Sequence, residues 1–351
     1  MNKIYRVIDA NVNRASEGLR VLEDIFRLFY NNDKFVKAVK EIRHSIRKAC
    51  SDLKFLKSRD ISTDSGKSSF TNTEKSRKCV EDIYLANSKR VEESLRVLEE
   101  FFKIVNESKS FLFKELRFKI YRIEEELFSV KHKFQNILKC SKTTLYTIVD
   151  SRFCIKERLD TCVEILKGGA KILQLREKVL SDREKIKIGK AISKLCRDFG
   201  AIFIVNDRVD IALYCEADGV HLGQDDIPVE LAKDILGINK IYGLSTHTFK
   251  QVKEAATLSI DYIGFGPIFP TKSKENPDPV VGTESLKKVK KEYKNLPVCA
   301  IGGINFSNIE SVLEATPEMV CVMSGITMRE NIKKEVENYR RVINDTVNLC
   351  K

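Results

Sequence analysis

The chain has 351 residues, 42% of them hydrophobic and 32% charged, with ten cysteines and a formal net charge of +12. That length calls for two domains rather than one core, and the composition is that of a globular chain, not a disordered one. There is no apolar run long enough for a membrane span, no signal-peptide core and no CxxC pair, so a reduced, cytoplasmic protein without a disulfide framework or zinc site is expected.

The basic excess is uneven: residues 1–140 carry 30 Lys/Arg against 21 Asp/Glu, and residues 141–351 carry 32 against 29. Such a segment would attract phosphorylated small molecules, nucleic acid or a membrane surface, although a lysine-rich composition alone gives the same excess. No aromatic residues interleave a basic face, so neither nucleic acid nor membrane is expected as a partner, and a homo-oligomer is left open.

Residues 1–140 read as an all-α domain with an internal duplication. "NVNRASEGLRVLEDIFR" at Asn11 returns 76 residues later as "NSKRVEESLRVLEEFFK" at Asn87, and "KEIRHSI" at Lys40 is matched by "KELRFKI" at Lys114. Each copy is therefore a helical hairpin, and two hairpins that each leave an apolar face open would pack as a pseudo-two-fold bundle. At about 100° per residue the stripe of Leu19, Leu22, Ile25, Phe26 and Phe29 faces inward, with Arg20, Glu23 and Arg27 towards water. Asn11 and Arg14 project on the stripe side, as do Asn87 and Arg90 in the second copy. Two readings stand: a polar pocket on the pseudo-axis, or an N-cap Asn11 followed by an Arg14–Glu17 pair, repeated by descent. Between the hairpins lies "RDISTDSGK". Its Arg59, Asp60 and Asp64 could hold phosphate and metal, whereas spacing alone reads it as a solvated linker, not a Walker loop.

The pattern changes near residue 140. Short β-branched runs follow: "LYTIVD" from Leu145, "ILQLR" from Ile172, "IFIVND" from Ile202, "GVHLG" from Gly219, "IYGLS" from Ile241, "YIGFGPIF" from Tyr262, "PVCAIGG" from Pro297 and "MVCVMS" from Met319. Helical segments lie between most of them, such as the one from Ser181 with its N-cap serine and terminal glycine. Eight strand–helix units over residues 141–351 predict an α/β (β/α)8 TIM barrel. The turn after the first run, "DSRFC", is no dinucleotide fingerprint.

In such a barrel the C-terminal strand ends form the active site. Alternation points Gln174, Arg176 and Lys178 to one side, three donors suited to a diphosphate, against the plainer reading of a barrel-layer residue with a rim ion pair. Asn206 and Asp207 close the third strand, and Asp225 and Asp226 follow the fourth. Two carboxylates facing a basic cluster suit Mg2+ shared with phosphate oxygens, while one of Asp225 and Asp226 could instead cap a helix. His221 reads as an interior hydrogen-bonder rather than a base. Ser245, then Thr271, Ser273 and Lys274, add hydroxyls and a cation. Gly302-Gly303 and Met323-Ser324-Gly325, on the last two strand-to-helix loops, form the corner where many barrels bind phosphate. The set implies a Mg2+–diphosphate site beside a monophosphate site, and departure of a diphosphate driven by charge stabilisation.

The motifs "QLREK", "IVNDR", "DGVHLGQDD", "GLSTHT", "GPIFPTKSK", "AIGGI" and "VMSGI" resemble the thiamine-phosphate synthase family over 143–345. The resemblance implies coupling of 4-amino-5-hydroxymethyl-2-methylpyrimidine diphosphate with 4-methyl-5-(2-phosphoethyl)thiazole to give thiamine phosphate and pyrophosphate. It assigns Gln174, Arg176, Lys178, Asn206, Ser245 and Lys274 to the pyrimidine diphosphate, and Asp207 and Asp226 to Mg2+. Thr271, Ser273, Gly303, Met323 and Ser324 fall to the thiazole phosphate; Ser273 stands where the family commonly has threonine, and the hydroxyl survives. The implied catalytic set is Arg176, Lys178, Lys274 and Ser245. A relative that only isomerises a thiazole carboxylate phosphate is disfavoured by the full Q-x-R-x-K and both aspartates. Residues 2–127 resemble the helical domain often fused ahead of these synthases, associated with a hydroxymethylpyrimidine phosphate kinase. That implies ATP as a co-substrate, with Asn11, Arg14, Arg59, Asp60, Asp64, Asn87 and Arg90 as candidate residues. The competing expectation is a non-catalytic helical module for oligomerisation or regulation.

Overall fold

A computed structural model describes residues 2–30, 32–51, 77, 80–273 and 277–349. The chain divides into two compact units, Met1–Leu127 and Phe128–Lys351. Among the described residues no helix is long and apolar enough to cross a membrane.

The first unit is built from α1 (Asn2–Leu28), α2 (Asp33–Ala49), α3 (Val80–Val105) and most of α4 (Glu107–Lys139). The two duplicated segments lie on α1 and α3, which pack on each other. Gly18 permits that approach: a Cβ there would sit 2.7 Å from Val91 Cγ2 and 3.2 Å from the Asn87 carbonyl. Leu19, Leu22, Ile25 and Phe26 are buried as the periodicity requires, together with Leu95, Leu98 and Phe102 of the second copy. Phe102 continues the core onto Phe113, ring centroids 4.7 Å apart. Phe29 departs from expectation and is exposed, because α1 ends at Leu28 and the chain leaves the helical wheel there.

The polar repeats resolve differently from the helical projection. Asn11 is buried and lies mid-helix, so it is no N-cap; its Nδ2 donates to the Val7 carbonyl at 2.8 Å. Asn87 repeats the bond to Ile83, also at 2.8 Å. Arg14 and Arg90 are exposed rather than turned inward. Glu23, expected in water, has a side chain only 2% exposed and lies 2.6 Å from Arg43 Nη2. Its counterpart Glu99 lies 2.8 Å from Arg117 Nη2. Arg43 and Arg117 occupy matching places in the duplicated "KEIR" and "KELR". Arg20 and Arg96, matched likewise, approach the same two carboxylates at 3.3 and 3.0 Å. The duplication thus writes one buried ion pair twice, each tying the first helix of a hairpin to the second.

The second unit is a closed barrel of eight parallel strands in sequence order: β1 (Thr144–Val149), β2 (Ile172–Leu175), β3 (Ile202–Asn206), β4 (Gly219–Leu222), β5 (Ile241–Thr246), β6 (Tyr262–Phe265), β7 (Val298–Ala300) and β8 (Met319–Val322). Register is continuous around it, and β1 closes on β8 through Tyr146↔Cys321 and Thr147↔Val322. Helices α5 (Arg158–Lys167), α6 (Asp182–Asp198), α7 (Val209–Tyr214), α8 (Val229–Leu236), α9 (Phe249–Ala255), α10 (Gly282–Glu292), α11 (Ile309–Leu313), α12 (Ser324–Thr327) and α13 (Ile332–Leu349) alternate with the strands. Both strand faces are buried, one against the helices and one in the interior, which explains the continuous apolar runs. The Ser181 cap is realised as a capping box with Glu184. At the N-terminal end of the strands the last part of α4 belongs to this unit: Phe134 packs 5.8 Å from the Tyr262 ring and Val130 N donates to Asn239 Oδ1 at 3.0 Å.

Removing one partner of a buried ion pair strands the other charge. Glu23→Ala and Glu99→Ala are each expected to destabilise the chain by about 3 kcal/mol or more. Pairing each with an apolar replacement at Arg43 or Arg117 should recover most of the loss. Urea titrations of the single and double variants measure both effects.

Candidate active site

The strand C-termini open into one cavity of about 1520 Å³. Every described barrel residue singled out from the sequence lines it: Gln174 on β2, with Arg176 and Lys178 beyond it; Asn206 on β3, with Asp207 beyond it; Asp226 after β4 and Ser245 on β5; Thr271, Ser273, Gly303, Met323 and Ser324 on the last loops. Lys274 lies outside the described residues, as do Arg59, Asp60 and Asp64 of the first unit.

Arg176 is held by a buried acid. Asp150 directly follows β1, is fully buried, and accepts from Arg152 Nε and Nη2 at 3.1 and 2.8 Å and from Arg176 Nη1. Burial pushes its pKa up, but the Arg152 hydrogen bonds and the Arg176 charge outweigh that and hold it below the ordinary carboxylate range. A charged, immobile carboxylate thus fixes Arg176 at the mouth. Glu177 points the other way, as alternation requires, and bonds Arg158 Nε at 2.7 Å and Ser151 Oγ at 2.9 Å, tying the loops after β1 and β2 together. The signal for Asp150 was its place at a strand end in "TIVD".

Lys178 Nζ reaches Asp207 Oδ2 at 2.5 Å. Asp207 has φ 62°, a left-handed conformation uncommon outside glycine and asparagine. Such strain persists where the surroundings over-determine it; here the Asp207 amide is pinned by the His221 carbonyl at 2.8 Å. Asp226 accepts from Gly223 N at 2.6 Å. Its pKa is raised, first by burial and then by the adjoining Asp207 carboxylate. Two carboxylates forced together under that repulsion suit a divalent cation that completes its shell with water and substrate phosphate. Among the described residues no group of three or more His, Cys, Asp or Glu could hold a metal. Asp225 also lines the cavity. Neither it nor Asp226 caps α8, where Pro228 stands at the N-cap.

The opposite side of the mouth is bare backbone. Gly302 and Gly303 have φ 100° and 67°, and a Cβ on either would lie 2.5 Å from Pro267 Cα or the Pro270 carbonyl. The loops after β6 and β7 can meet only without side chains there. The Gly303 carbonyl accepts from Asn305 and Asn308 side chains at 3.2 and 2.9 Å, which fixes the peptide beside the cavity. Thr271 Oγ1 accepts from Ser273 N at 3.2 Å.

Beneath the mouth, Tyr146, Tyr262 and His221 fill the barrel interior. His221 bonds hydroxyls on both ring nitrogens, as expected of an interior hydrogen-bonder. Burial lowers its pKa to about 4, so the folded protein keeps it neutral where an exposed histidine would already be charged. The unfolded chain then binds the extra proton between its ordinary pKa of about 6.5 and about 4, and stability falls as pH drops through that window. The expected contribution is up to about 3 kcal/mol. In urea titrations at a series of pH values, His221→Gln should flatten the slope across this window; an unchanged slope would show that the imidazole does not carry it.

Residues 145–326 match the family model described as thiamine monophosphate synthase, and residues 6–126 match that of the ThiD2 family. The chain is similar to the thiamine-phosphate synthase of Prochlorococcus marinus subsp. pastoris, 40% identical over 95% of this chain and 93% of the relative. It is similar to that of Nostoc punctiforme at 34% identity over 93% of this chain and 90% of the relative. Among solved structures, the thiamine phosphate pyrophosphorylase from Pyrococcus furiosus is 37% identical with a TM-score of 0.54, covering 59% of this chain and 98% of its own.

Proposed function

We propose that this chain, which belongs to the thiamine-phosphate synthase family, couples a 4-amino-pyrimidine methyl diphosphate to a thiazole phosphate in its barrel and releases pyrophosphate. The observation that carries the reading is one mouth where Arg176 and Lys178 stand with the Asp207 and Asp226 carboxylates, and where glycine-walled loops form another part of the lining. These offer separate places for a diphosphate and a monophosphate.

In this reaction the pyrimidine methylene carbon loses its bond to the diphosphate oxygen, and the thiazole nitrogen supplies the electron pair for the new C–N bond. The barrier is departure of a highly charged leaving group. Arg176, oriented by Asp150, and Lys178, leaning on Asp207, offer fixed positive charge to that group as the bond breaks; Lys274, which the family resemblance assigns to the same group, lies outside the described residues. Asp207 and Asp226 would hold Mg2+, which supplies further neutralisation of the leaving pyrophosphate. Gln174, Asn206 and Ser245 line the cavity for the pyrimidine ring. Thr271, Ser273, Gly303, Met323 and Ser324 receive the thiazole phosphate and bring the nucleophile to the methylene carbon. No group must remove a proton in this step. A reduced, cytoplasmic setting belongs to the same proposal.

The first unit, matching the ThiD2 family, is proposed to make the barrel's substrate by transferring phosphate from ATP to the pyrimidine monophosphate. Asn11 and Asn87 remain its candidate residues among those described. Arg14 and Arg90 could act only from the exposed surface.

Asp207→Ala in the full chain should lower the rate of pyrophosphate release by about 100-fold or more. Near-normal turnover would remove the metal assignment. The same variant, given pyrimidine monophosphate, ATP and Mg2+, should accumulate the pyrimidine diphosphate, followed by phosphorus NMR. A folded protein that forms none would remove the kinase assignment and leave the barrel reading standing.

A further inference from the structure

A single chain of hydrogen bonds crosses the barrel interior, and its two ends are cavity residues. Gln174 Nε2 donates to Asn206 Oδ1 at 2.7 Å, and Gln174 Oε1 accepts from Tyr146 OH at 2.7 Å. The Tyr146 oxygen lies 2.9 Å from Tyr262 OH. The Tyr262 oxygen lies 3.0 Å from His221 Nδ1, and His221 Nε2 lies 2.9 Å from Ser245 Oγ. The rings fit because β5 and β6 carry glycine where they pass: a Cβ at Gly243 would lie 2.5 Å from His221 Nδ1, and one at Gly264 would lie 3.0 Å from His221 Cε1.

Each tyrosine has one proton, so the chain has a direction. Tyr146 gives its proton to Gln174, and the Tyr146–Tyr262 contact must then be donated by Tyr262. With the Tyr262 proton committed, His221 Nδ1 must carry the hydrogen it shares with Tyr262. Both of this ring's hydrogen-bond partners are hydroxyls, so a neutral imidazole leaves its lone pair on Nε2, and Ser245 donates there. Two consequences reach the cavity. Ser245 Oγ, its hydrogen turned inward, offers only lone pairs to a ligand. Asn206, its carbonyl engaged by Gln174, offers Nδ2–H.

We infer that Tyr146, Tyr262 and His221 are positioning residues that set this acceptor–donor pattern, and that the pattern makes the site select an aminopyrimidine over its deaminated, 4-oxo counterpart. A 4-aminopyrimidine carries an exocyclic N–H donor next to a ring-nitrogen acceptor. That is the complement of a lone-pair Ser245 and a donating Asn206. The 4-oxo ring in its usual lactam form reverses both groups, placing acceptor against acceptor and donor against donor, the kind of mismatch a buried polar site rejects strongly. The three interior residues need not touch substrate; they act by fixing where the protons sit. This selectivity rests on the synthase reading, whereas the direction of the chain does not.

The experiment separates the two. The whole chain contains only four histidines, so nitrogen-15 NMR of the ligand-free protein at neutral pH, with His221 assigned by its absence from His221→Gln, reports the tautomer directly. The expected result is hydrogen on Nδ1. Hydrogen on Nε2, or on both nitrogens, would overturn the inference whatever the enzyme's activity, because either state makes Ser245 a donor. The second arm compares kcat/KM for the 4-amino diphosphate and its 4-oxo analogue in wild type, Tyr262→Phe and Tyr146→Phe. Either variant interrupts the chain while keeping the ring, and should reduce the amino-over-oxo preference by at least about 10-fold. A preference unchanged in a folded, active variant would overturn the selectivity claim. Absence of coupling in the wild type would instead count against the synthase reading and leave the tautomer result intact.

Discussion

A buried carboxylate at the end of the first strand governs what the barrel mouth can do. Asp150 is sealed from solvent, stays charged because Arg152 and Arg176 surround it, and so holds a guanidinium at the rim in one orientation. Parallel closure extends the same logic around the ring. Because all eight strands run one way, each strand end delivers its last residues to one cavity. Cations come from β2, carboxylates from the segments after β3 and β4, and bare peptide from the loops after β6 and β7. The positive side is anchored by buried acid and the acidic pair sits beside it. This placement underlies the proposal that the mouth takes a polyanion and a divalent cation together.

Much of this was legible in the sequence because a strand has period two and a parallel barrel has one functional end. Those rules alone pick out Gln174, Arg176, Lys178, Asp207 and the neighbouring Asp225 and Asp226, and all six line the cavity. What escaped them depends on partners distant in sequence. Tyr146 and Tyr262 are separated by 116 positions yet share a hydrogen bond, and each reads locally as an ordinary apolar strand residue. Asp150 was visible at a strand end but carried no motif until its arginine partners were placed.

The helical unit shows the opposite failure. A projection that sorts residues into apolar and charged sends Glu23 to solvent, and the fold buries it against Arg43. The clue lay in the duplication: a Glu in each first helix and an Arg in each second helix return together, which a solvent-facing pair has no reason to do. Arg14 and Arg90, also duplicated, stay exposed. Repetition of polar residues therefore marks two different things here, an internal ion pair and a surface feature, and burial is what separates them.

In the proposed reaction the barrel expels pyrophosphate from a site made by Asp207, Asp226, Arg176 and Lys178. The decisive measurement is a crystal structure of the full chain grown with thiamine phosphate, pyrophosphate and Mg2+. The metal is expected between Asp207 and Asp226, pyrophosphate against Arg176 and Lys178, and the product phosphate at Gly303 and Ser324. Pyrophosphate bound elsewhere, or a metal that ignores both aspartates, would contradict that proposal.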